Sequence, residues 1–287
     1  MEINLQKGAL YITGTPIGNL RDISLRALSV LKEVDVICAE DTRVTQHLLS
    51  FYGIKGPRLI SLREQNEAEQ AQKVLSLLKE GKSVAQVSDA GMPGICDPGN
   101  RLVAQVRQAG FPLYVIPGAV ALTAALSLTG QGETPFTFMG FLSAKTKERH
   151  EQLMSIAENN QTVVCYEAPH RIEVTLQEQN SVDPERILWL ARELTKKFET
   201  TLTGTAKSLL SCLQEDPQQK KGEMVIIFTT RIQMESDILS DAVKELSAHL
   251  LPFYPIKKVV FLVAKMMPVP KKRLYDYLLN LRNQQQD

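Results

Sequence analysis

Short apolar runs alternate with amphipathic stretches along the first 128 residues of the chain. The apolar runs are typical of β-strands, and the stretches between them have the spacing of helices. The predicted strands are ALYIT, VDVICA, RLIS, SVAQVS and PLYVI. The predicted helices lie near 24–32, 43–51, 66–79 and 100–109. This alternation predicts a mostly parallel α/β sheet.

A second set of strands follows a break rich in glycine and proline at 130–135. These strands are FTFMGF, TVVCYE, RILWLAR, FETTLTG and EMVIIFTT, with helices near 147–158, 170–179 and 205–213. After residue 231 the pattern is helical only, near 237–250, 256–266 and 270–282. We therefore predict a parallel-sheet N-terminal domain over 1–130, a second α/β domain with a mixed sheet over 131–232, and a helical C-terminal module over 233–287.

Composition narrows the class of protein. The 287 residues are 44% hydrophobic and carry a formal net charge of +1, so any nucleic-acid binding must come from a local patch. The four cysteines form no CxxC pair and the four histidines show no metal-ligand spacing, so we expect a reducing compartment and no metal. We also expect a cytoplasmic protein without membrane contact, because no signal-peptide pattern and no apolar run of about 20 residues is present.

Three turns rich in glycine and proline follow predicted strands, at 13–22, 88–99 and 116–125. In the second turn, SDAGMPGICDPG, the glycines let the backbone take positive φ or approach a ligand closely, and Asp89 can face a cationic group. Asp97, followed by proline, is predicted to cap the next helix. Together the turns predict one cleft for a small, partly charged ligand. The alternative is that glycine and proline only make tight turns.

Charged residues cluster at three further strand ends. They are Glu40, Asp41 and Arg43 in AEDTR, Glu167, His170 and Arg171 in YEAPHR, and Arg192, Glu193, Lys196 and Lys197 in ARELTKK. Arginine and lysine at the rim of a cleft suit phosphate contacts. Two alternatives remain open: AEDTR caps the next helix and forms a local ion pair, and the other charges form a solvated face.

The ordered series of motifs resembles one known family. LYITGTPIGNLRDISLRAL, DVICAEDTR, VSDAGMPGICDPG, VIPGAVALTAALSLTG, FMGFLSAK, CYEAPHR, ARELTKKFE and KGEMVII are similar, in this order over about 8–230, to the ribosomal RNA small subunit methyltransferase I family of the tetrapyrrole methylase superfamily. The resemblance implies a two-domain α/β fold, S-adenosylmethionine as cofactor and a homodimer. It also implies 2′-O-methylation of a cytidine in the decoding centre of 16S rRNA, on free RNA or on the small subunit.

The resemblance also assigns candidate site residues. Those implied for cofactor binding are Pro16, Asp89, Gly91, Gly94, Ile95, Ala121, Leu122, Thr123, Tyr166 and Leu194. The segment SDAGMPGI would line the methionine end of the cofactor, and Tyr166 and Leu194 would close over the adenosine. Ala121 and Leu122 have an alternative role as helix-core residues. On the acceptor side, the charged clusters at the strand ends, rather than the resemblance, supply the catalytic candidates Glu40, Asp41, Arg43, Lys196 and Lys197.

The C-terminal segment 251–287 carries a net charge of +5, with a basic cluster at 271–273. We expect it to assist binding of RNA or of the small subunit; the alternative is a packing or dimer-capping helix pair. Two other functions remain possible from the sequence. One is a small-molecule methylase of the same superfamily acting on a porphyrin-like ring. The other is a cofactor-sensing or ribosome-assembly binding protein without turnover.

Overall fold

The computed structural model describes residues 5–130, 135–159, 161–230, 239, 241–267, 269 and 271–284. The chain forms two compact units, Met1–Thr230 and Arg231–Asp287. The stretches around the predicted domain junctions after 130 and 232, and the predicted helix start near 237, lie outside the described residues. No described helix is long and apolar enough to cross a membrane.

The first sheet of the larger unit is entirely parallel, with strand order β3-β2-β4-β1-β5. Its strands are β1 Leu10–Thr13, β2 Val36–Ala39, β3 Arg58–Ser61, β4 Val84–Val87 and β5 Leu113–Ile116. The helices that follow are α1 Leu25–Glu33, α2 Thr42–Phe51, α3 Glu67–Lys79, α4 Asn100–Gln108 and α5 Ala121–Leu128. Short 3-10 helices lie at Leu20–Asp22 and Glu64–Asn66.

Alternate residues of each strand in this sheet enter different cores. Tyr11 and Ile37 pack with α1 and α2, whereas their neighbours Leu10 and Val36 pack with α3 and α4. Successive side chains of a strand point to opposite faces, so a sheet covered by helices on both sides needs apolar residues at every position. This explains the short, continuous apolar runs in the sequence.

The second sheet is mixed, with strand order β6-β7-β10-β8-β9. Its strands are β6 Phe136–Phe141, β7 Thr162–Glu167, β8 Ile187–Arg192, β9 Thr200–Thr205 and β10 Met224–Phe228. Only the β6–β7 pair is parallel among its described pairs. The helices are α6 Thr146–Glu158, α7 Ile172–Val182 and α8 Ala206–Glu215, with a 3-10 helix at Pro217–Lys220.

One face of the second sheet packs against α6, α7 and α8. The opposite face packs against α5 and against Ile17 from the turn after β1, in a core that includes Ala125, Val164 and Ile227. Helix α5 therefore joins the two sheets into a single compact unit and brings the glycine turns of the first sheet close to the second.

The smaller unit contains α9 Asp241–Leu250, α10 Ile256–Met266 and α11 Lys271–Gln284. They surround a core of Val243, Ile256, Val259, Val260, Val263, Leu274 and Leu278. The predicted α/β class is confirmed: a parallel sheet, then a mixed sheet, then helices.

One local prediction is wrong: Asp97 does not cap α4. The N-cap is Gly99, at φ +124°, which has no side chain to accept a hydrogen bond. Instead Oε1 of buried Glu67, from the first turn of α3, accepts hydrogen bonds from the amides of Gly99, Arg101 and Leu102 at 3.1, 2.7 and 3.2 Å. The carboxylate satisfies donors that a helix start leaves unpaired, and it leaves Asp97 free for another role.

Candidate active site

The structure brings the three glycine turns together. The amide of Thr15 donates to the carbonyl of Gly91 at 2.9 Å, and the amide of Gly91 donates back to Thr15 at 3.2 Å. A Cβ atom on Gly14 would lie 2.7 Å from Cα of Gly118, so these two turns approach too closely for any side chain at that point. The carboxyl ends of β1, β4 and β5 thus meet at one place, as ligand-binding turns do in open α/β sheets.

A cavity of about 320 Å³ lies between these turns and the second sheet. Most of its wall is apolar, formed by residues such as Ile17, Met92, Val120, Phe141 and Val225. This volume and this lining are typical of a small-molecule site.

Tyr166, at the end of β7, forms part of the same wall. Its ring packs edge-on against Phe138 and Phe141, with centroid distances of 5.0 and 5.4 Å. Its hydroxyl oxygen accepts a hydrogen bond from the amide of Leu122 at 3.3 Å, which ties the second sheet to the first turn of α5. Burial raises the pKa of Tyr166, so the phenol stays neutral and suits an apolar ligand surface.

The ten predicted cofactor residues are distributed around this cavity. Five of them line it: Gly91, Ile95, Ala121, Tyr166 and Leu194. Pro16 and Asp89 line a neighbouring cavity of about 200 Å³. Gly94 and Leu122 do not line the apolar cavity but are next in the chain to Ile95 and Ala121, which do. Thr123 lies one residue further along α5, and its hydroxyl donates to the carbonyl of Val120 at 3.0 Å.

A second cavity, of about 730 Å³, is lined mainly by charged and polar residues. Cys96 and Asp97 line both this polar cavity and the apolar one, so the two cavities adjoin at these residues. Cys96 has φ +64°, a backbone conformation that non-glycine residues seldom adopt and that often occurs at functional turns. The turn therefore presents Asp97 at the junction of an apolar and a polar space.

Asp97 is the functional candidate that sequence reasoning missed. Burial, together with the carboxylates of Glu40 and Asp89, raises the pKa of Asp97 to about 7, although a hydrogen bond with Ser88 opposes the shift. A carboxylate that burial and like charge destabilise gains much from a cationic ligand. The only sequence signal was a second aspartate in the glycine turn, and its Pro neighbour favoured the capping interpretation.

Glu40 and Asp89 extend this acidic surface into the polar cavity. The amide of Asp41 donates to Oδ1 of Asp89 at 2.9 Å, and the amide of Asp89 donates to Oε2 of Glu40 at 3.4 Å. Burial raises the pKa of both carboxyl groups. The ends of β2 and β4 therefore place two partly buried carboxyl groups next to Asp97.

Asp41 is the N-cap of α2 and also pairs with Arg43. It accepts from the amide of Arg43 at 2.8 Å and from its guanidinium at 2.5 Å, which holds the pKa of Asp41 well below its usual range. This is the local cap and ion pair that the sequence left open. Arg43 remains 85% exposed in its side chain and lines the polar cavity together with Arg63 and Arg101, two cations that the motifs did not identify.

The segment after β8 holds the remaining candidates. Nζ of Lys196 lies 2.9 Å from Glu193 and 3.2 Å from Glu223, and Lys196 lines the smaller cavity with Asp89. Lys197 is exposed, with its ammonium 5.3 Å from the ring centroid of Phe198. Arg192 is buried and donates to the carbonyls of Phe198 and Lys221, so it holds this segment rather than facing a cavity.

The YEAPHR segment is mainly part of a buried network. Glu167 accepts from the hydroxyl of Thr175 at 2.6 Å and pairs with Arg171 at 2.7 Å, next to the start of α7. Glu167 also borders the apolar cavity, whereas His170 is exposed. The structure therefore places Arg171 and His170 outside the lining of the cavities described above.

Known proteins resemble this chain in sequence over most of its length. Residues 9–210 match the family model for tetrapyrrole (corrin/porphyrin) methylases. The chain is 45% identical over 276 residues, 96% of this chain and 94% of the relative, to a ribosomal RNA small subunit methyltransferase I of Neisseria meningitidis serogroup B. It belongs to that family. A relative of the same name from Haemophilus influenzae is also 45% identical, over 94% of this chain and 96% of its own length.

A solved structure supports the fold of this family member. Cobalt precorrin-4 methyltransferase, a cobalamin biosynthetic enzyme, superimposes with a TM-score of 0.61 over 79% of this chain and 98% of its own, at 18% identity. At that identity the likeness shows the fold alone. The family model and the names of the relatives indicate that this member of the ribosomal RNA small subunit methyltransferase I family is a methyltransferase.

Proposed function

We propose that this chain transfers a methyl group from S-adenosylmethionine to the ribose 2′-hydroxyl of a cytidine in the decoding centre of 16S rRNA. The observation that carries the proposal is that an apolar cavity and a polar cavity lined by both carboxylates and arginines adjoin at Asp97. The first suits a small cofactor with a cationic end, and the second suits part of a nucleic acid. The name shared by relatives at 45% identity supports ribosomal RNA as the substrate.

The residues of the apolar cavity fit S-adenosylmethionine in their chemistry. The adenosine requires apolar and aromatic surface, which Tyr166, Phe141 and Leu194 provide. The sulfonium and ammonium groups require negative charge, which Asp97 provides at the edge of the cavity. The carboxylate requires hydrogen-bond donors, and backbone amides of the glycine turns are the available groups of that kind.

When bound, the cofactor supplies an electrophilic methyl group. The contribution of the chain is to position the ribose hydroxyl, to exclude water from the apolar cavity and to remove the hydroxyl proton. Glu40 is better suited than Asp41 to accept this proton, because burial raises the pKa of Glu40, whereas Arg43 keeps Asp41 firmly ionised. We assign Glu40 as the proton acceptor, at its carboxylate oxygens.

The cations hold the substrate backbone in this proposal. Arg43 lines the polar cavity and Lys196 the smaller one, so each faces a space beside the glycine turns. Hydrogen bonds to Glu193 and Glu223 raise the pKa of Lys196 although burial opposes this, so the ammonium stays charged. Lys197 is exposed and adds positive charge next to it. Asp41 orients Arg43 through its ion pair.

Methyl incorporation from labelled S-adenosylmethionine tests the function on three substrates. These are small subunits that lack the modification, free 16S rRNA, and a porphyrin-like tetrapyrrole. We expect incorporation into the ribosomal substrate and none into the tetrapyrrole. The variant Glu40→Gln should lose turnover while its cofactor affinity stays close to that of the wild type.

Two other outcomes would contradict the proposal. Incorporation into the tetrapyrrole alone would identify a small-molecule methylase, the reaction class named for the structural neighbour. Tight binding of cofactor and subunits with no incorporation into any substrate would identify a binding protein without turnover.

A further inference from the structure

The smaller unit has an exposed surface that its own fold does not explain. Helix α10 directs Ile256, Val259, Val260 and Val263 into the core. Its other side and the turn before it expose Phe253 and Phe261, which are 78% and 60% exposed. Large aromatic side chains this exposed contribute little to folding and mark a binding surface when charged residues flank them.

Lysines flank these aromatic rings. Lys257, Phe261 and Lys265 lie at spacings of four residues, so they form one row along the exposed side of α10. Nζ of Lys258 lies 4.9 Å from the ring centroid of Tyr254. The sequence from 252 to 267 contains no acidic residue. We define Phe253, Tyr254, Lys257, Lys258, Phe261 and Lys265 as the aromatic–lysine face.

We propose that the aromatic–lysine face binds unpaired nucleotides of the ribosomal RNA substrate, with bases stacked on the phenylalanine rings and phosphates paired with the lysines. Positive charge beside exposed aromatic rings is the combination that single-stranded nucleic acid requires. Duplex RNA presents only phosphates and sugar edges to such a surface, because its bases are already stacked. This inference rests on the proposed RNA substrate and adds a contact outside the active site.

Binding of a short labelled oligouridine strand to the full-length protein, followed by fluorescence anisotropy across a salt titration, tests the face. Phe253→Ala/Phe261→Ala should weaken binding by at least about fivefold and leave the salt dependence unchanged, since stacking is lost but no charge is removed. Lys257→Gln/Lys265→Gln should weaken binding and reduce the slope of log K against log salt by about 1.4, because two phosphate contacts are lost and each single-strand contact contributes about 0.7.

Phe51→Ala is the matched control, since Phe51 is 55% exposed but lies on α2 in the other unit. It should bind the strand as the wild type does, and a duplex of equal length should not distinguish the phenylalanine variant from the wild type. Unchanged single-strand affinity of the phenylalanine variant, with an unchanged melting curve, would overturn the inference. So would loss of self-association in that variant without loss of RNA binding, which would identify a contact between copies of the chain.

The same proteins separate this inference from the proposed function. Methyl incorporation into small subunits by the wild type tests the function alone, whereas strand binding by the variants tests the face alone. If the variants bind the strand as the wild type does while the wild type methylates small subunits, the inference about the aromatic–lysine face is wrong and the proposed function is unaffected. Absent methylation with intact strand binding overturns the proposed function only.

Discussion

Replacing Asp97 with asparagine removes one negative charge from the edge of the apolar cavity and keeps the size of the side chain. A unit charge pair about 5 Å apart interacts by about 3 kcal/mol at an effective dielectric constant of about 20. Asp97 is only partly buried, so solvent screening reduces this value, and we expect a loss of about 1–2 kcal/mol. That corresponds to roughly 5- to 30-fold weaker binding of S-adenosylmethionine.

The pH dependence of this loss has a defined sign. Because the pKa of Asp97 is raised to about 7, the carboxylate that attracts a cation is present above this pH and is lost below it. The ratio of wild-type to Asp97→Asn affinity should therefore be large near pH 8 and fall towards one near pH 6. Both proteins bind the same ligand at each pH, so any effect of ligand ionisation on affinity cancels in this ratio.

Asp97→Asn should weaken cofactor binding, but it should not lower the thermal stability of the protein. Because the pKa of Asp97 is higher in the folded chain than in the unfolded chain, its ionisation opposes folding. The resulting loss of folding free energy begins near pH 4, close to the pKa of an aspartate in the unfolded chain, and is complete above about pH 7. Above pH 7 the asparagine variant should melt at the same temperature as the wild type or a few degrees higher, after discounting for partial exposure. A merely structural aspartate would lower the melting temperature when replaced.

Isothermal titration calorimetry at pH 6, 7 and 8, together with thermal melting, measures both effects. Asp22→Asn is the control, because Asp22 is exposed and lines none of the three cavities described above. An affinity for Asp97→Asn within twofold of the wild type at pH 8, in a folded protein, would refute the reasoning.

Three further predictions concern other parts of the molecule. Arg43→Ala or Lys196→Ala should cut single-turnover methylation of small subunits by roughly 100-fold while cofactor affinity hardly changes; near-normal turnover in both would show that the acceptor side is misplaced. Glu67→Ala should lower the free energy of unfolding of the larger unit in urea by about 3 kcal/mol, because three amides lose a charged acceptor. Glu67→Gln should lower it less, and equal losses in the two variants would contradict the capping role. Light scattering at micromolar concentration should give twice the mass of the chain, and a single-chain mass would count against a homodimer.

The order of strands and helices could be predicted well from the sequence, because it depends on patterns among residues that are close together in the chain. The apolar runs of the first sheet are continuous since helices cover both faces, and glycine turns separate them from helical periodicity. The family resemblance also held, since it depends on ordered motifs over most of the chain.

The details of the site could not be predicted because they depend on contacts distant in sequence. Glu67, 30 residues before Asp97 in the chain, takes the capping role expected of Asp97 at the start of α4, and Asp97 lies at the cavity junction instead. The inward position of Arg192 depends in the same way on the carbonyl of Lys221, 29 residues later. No local pattern distinguishes an arginine that supports a loop from one that faces a substrate.

The most direct test of the proposed reaction is nucleoside analysis of 16S rRNA after reaction of unmodified small subunits with the protein and labelled S-adenosylmethionine. We expect one new 2′-O-methylcytidine per subunit, mapped to the decoding centre by ribonuclease fragmentation and mass spectrometry, with little product from Glu40→Gln. A methyl group on a base, on another nucleotide or on a ribosomal protein would contradict the proposed function.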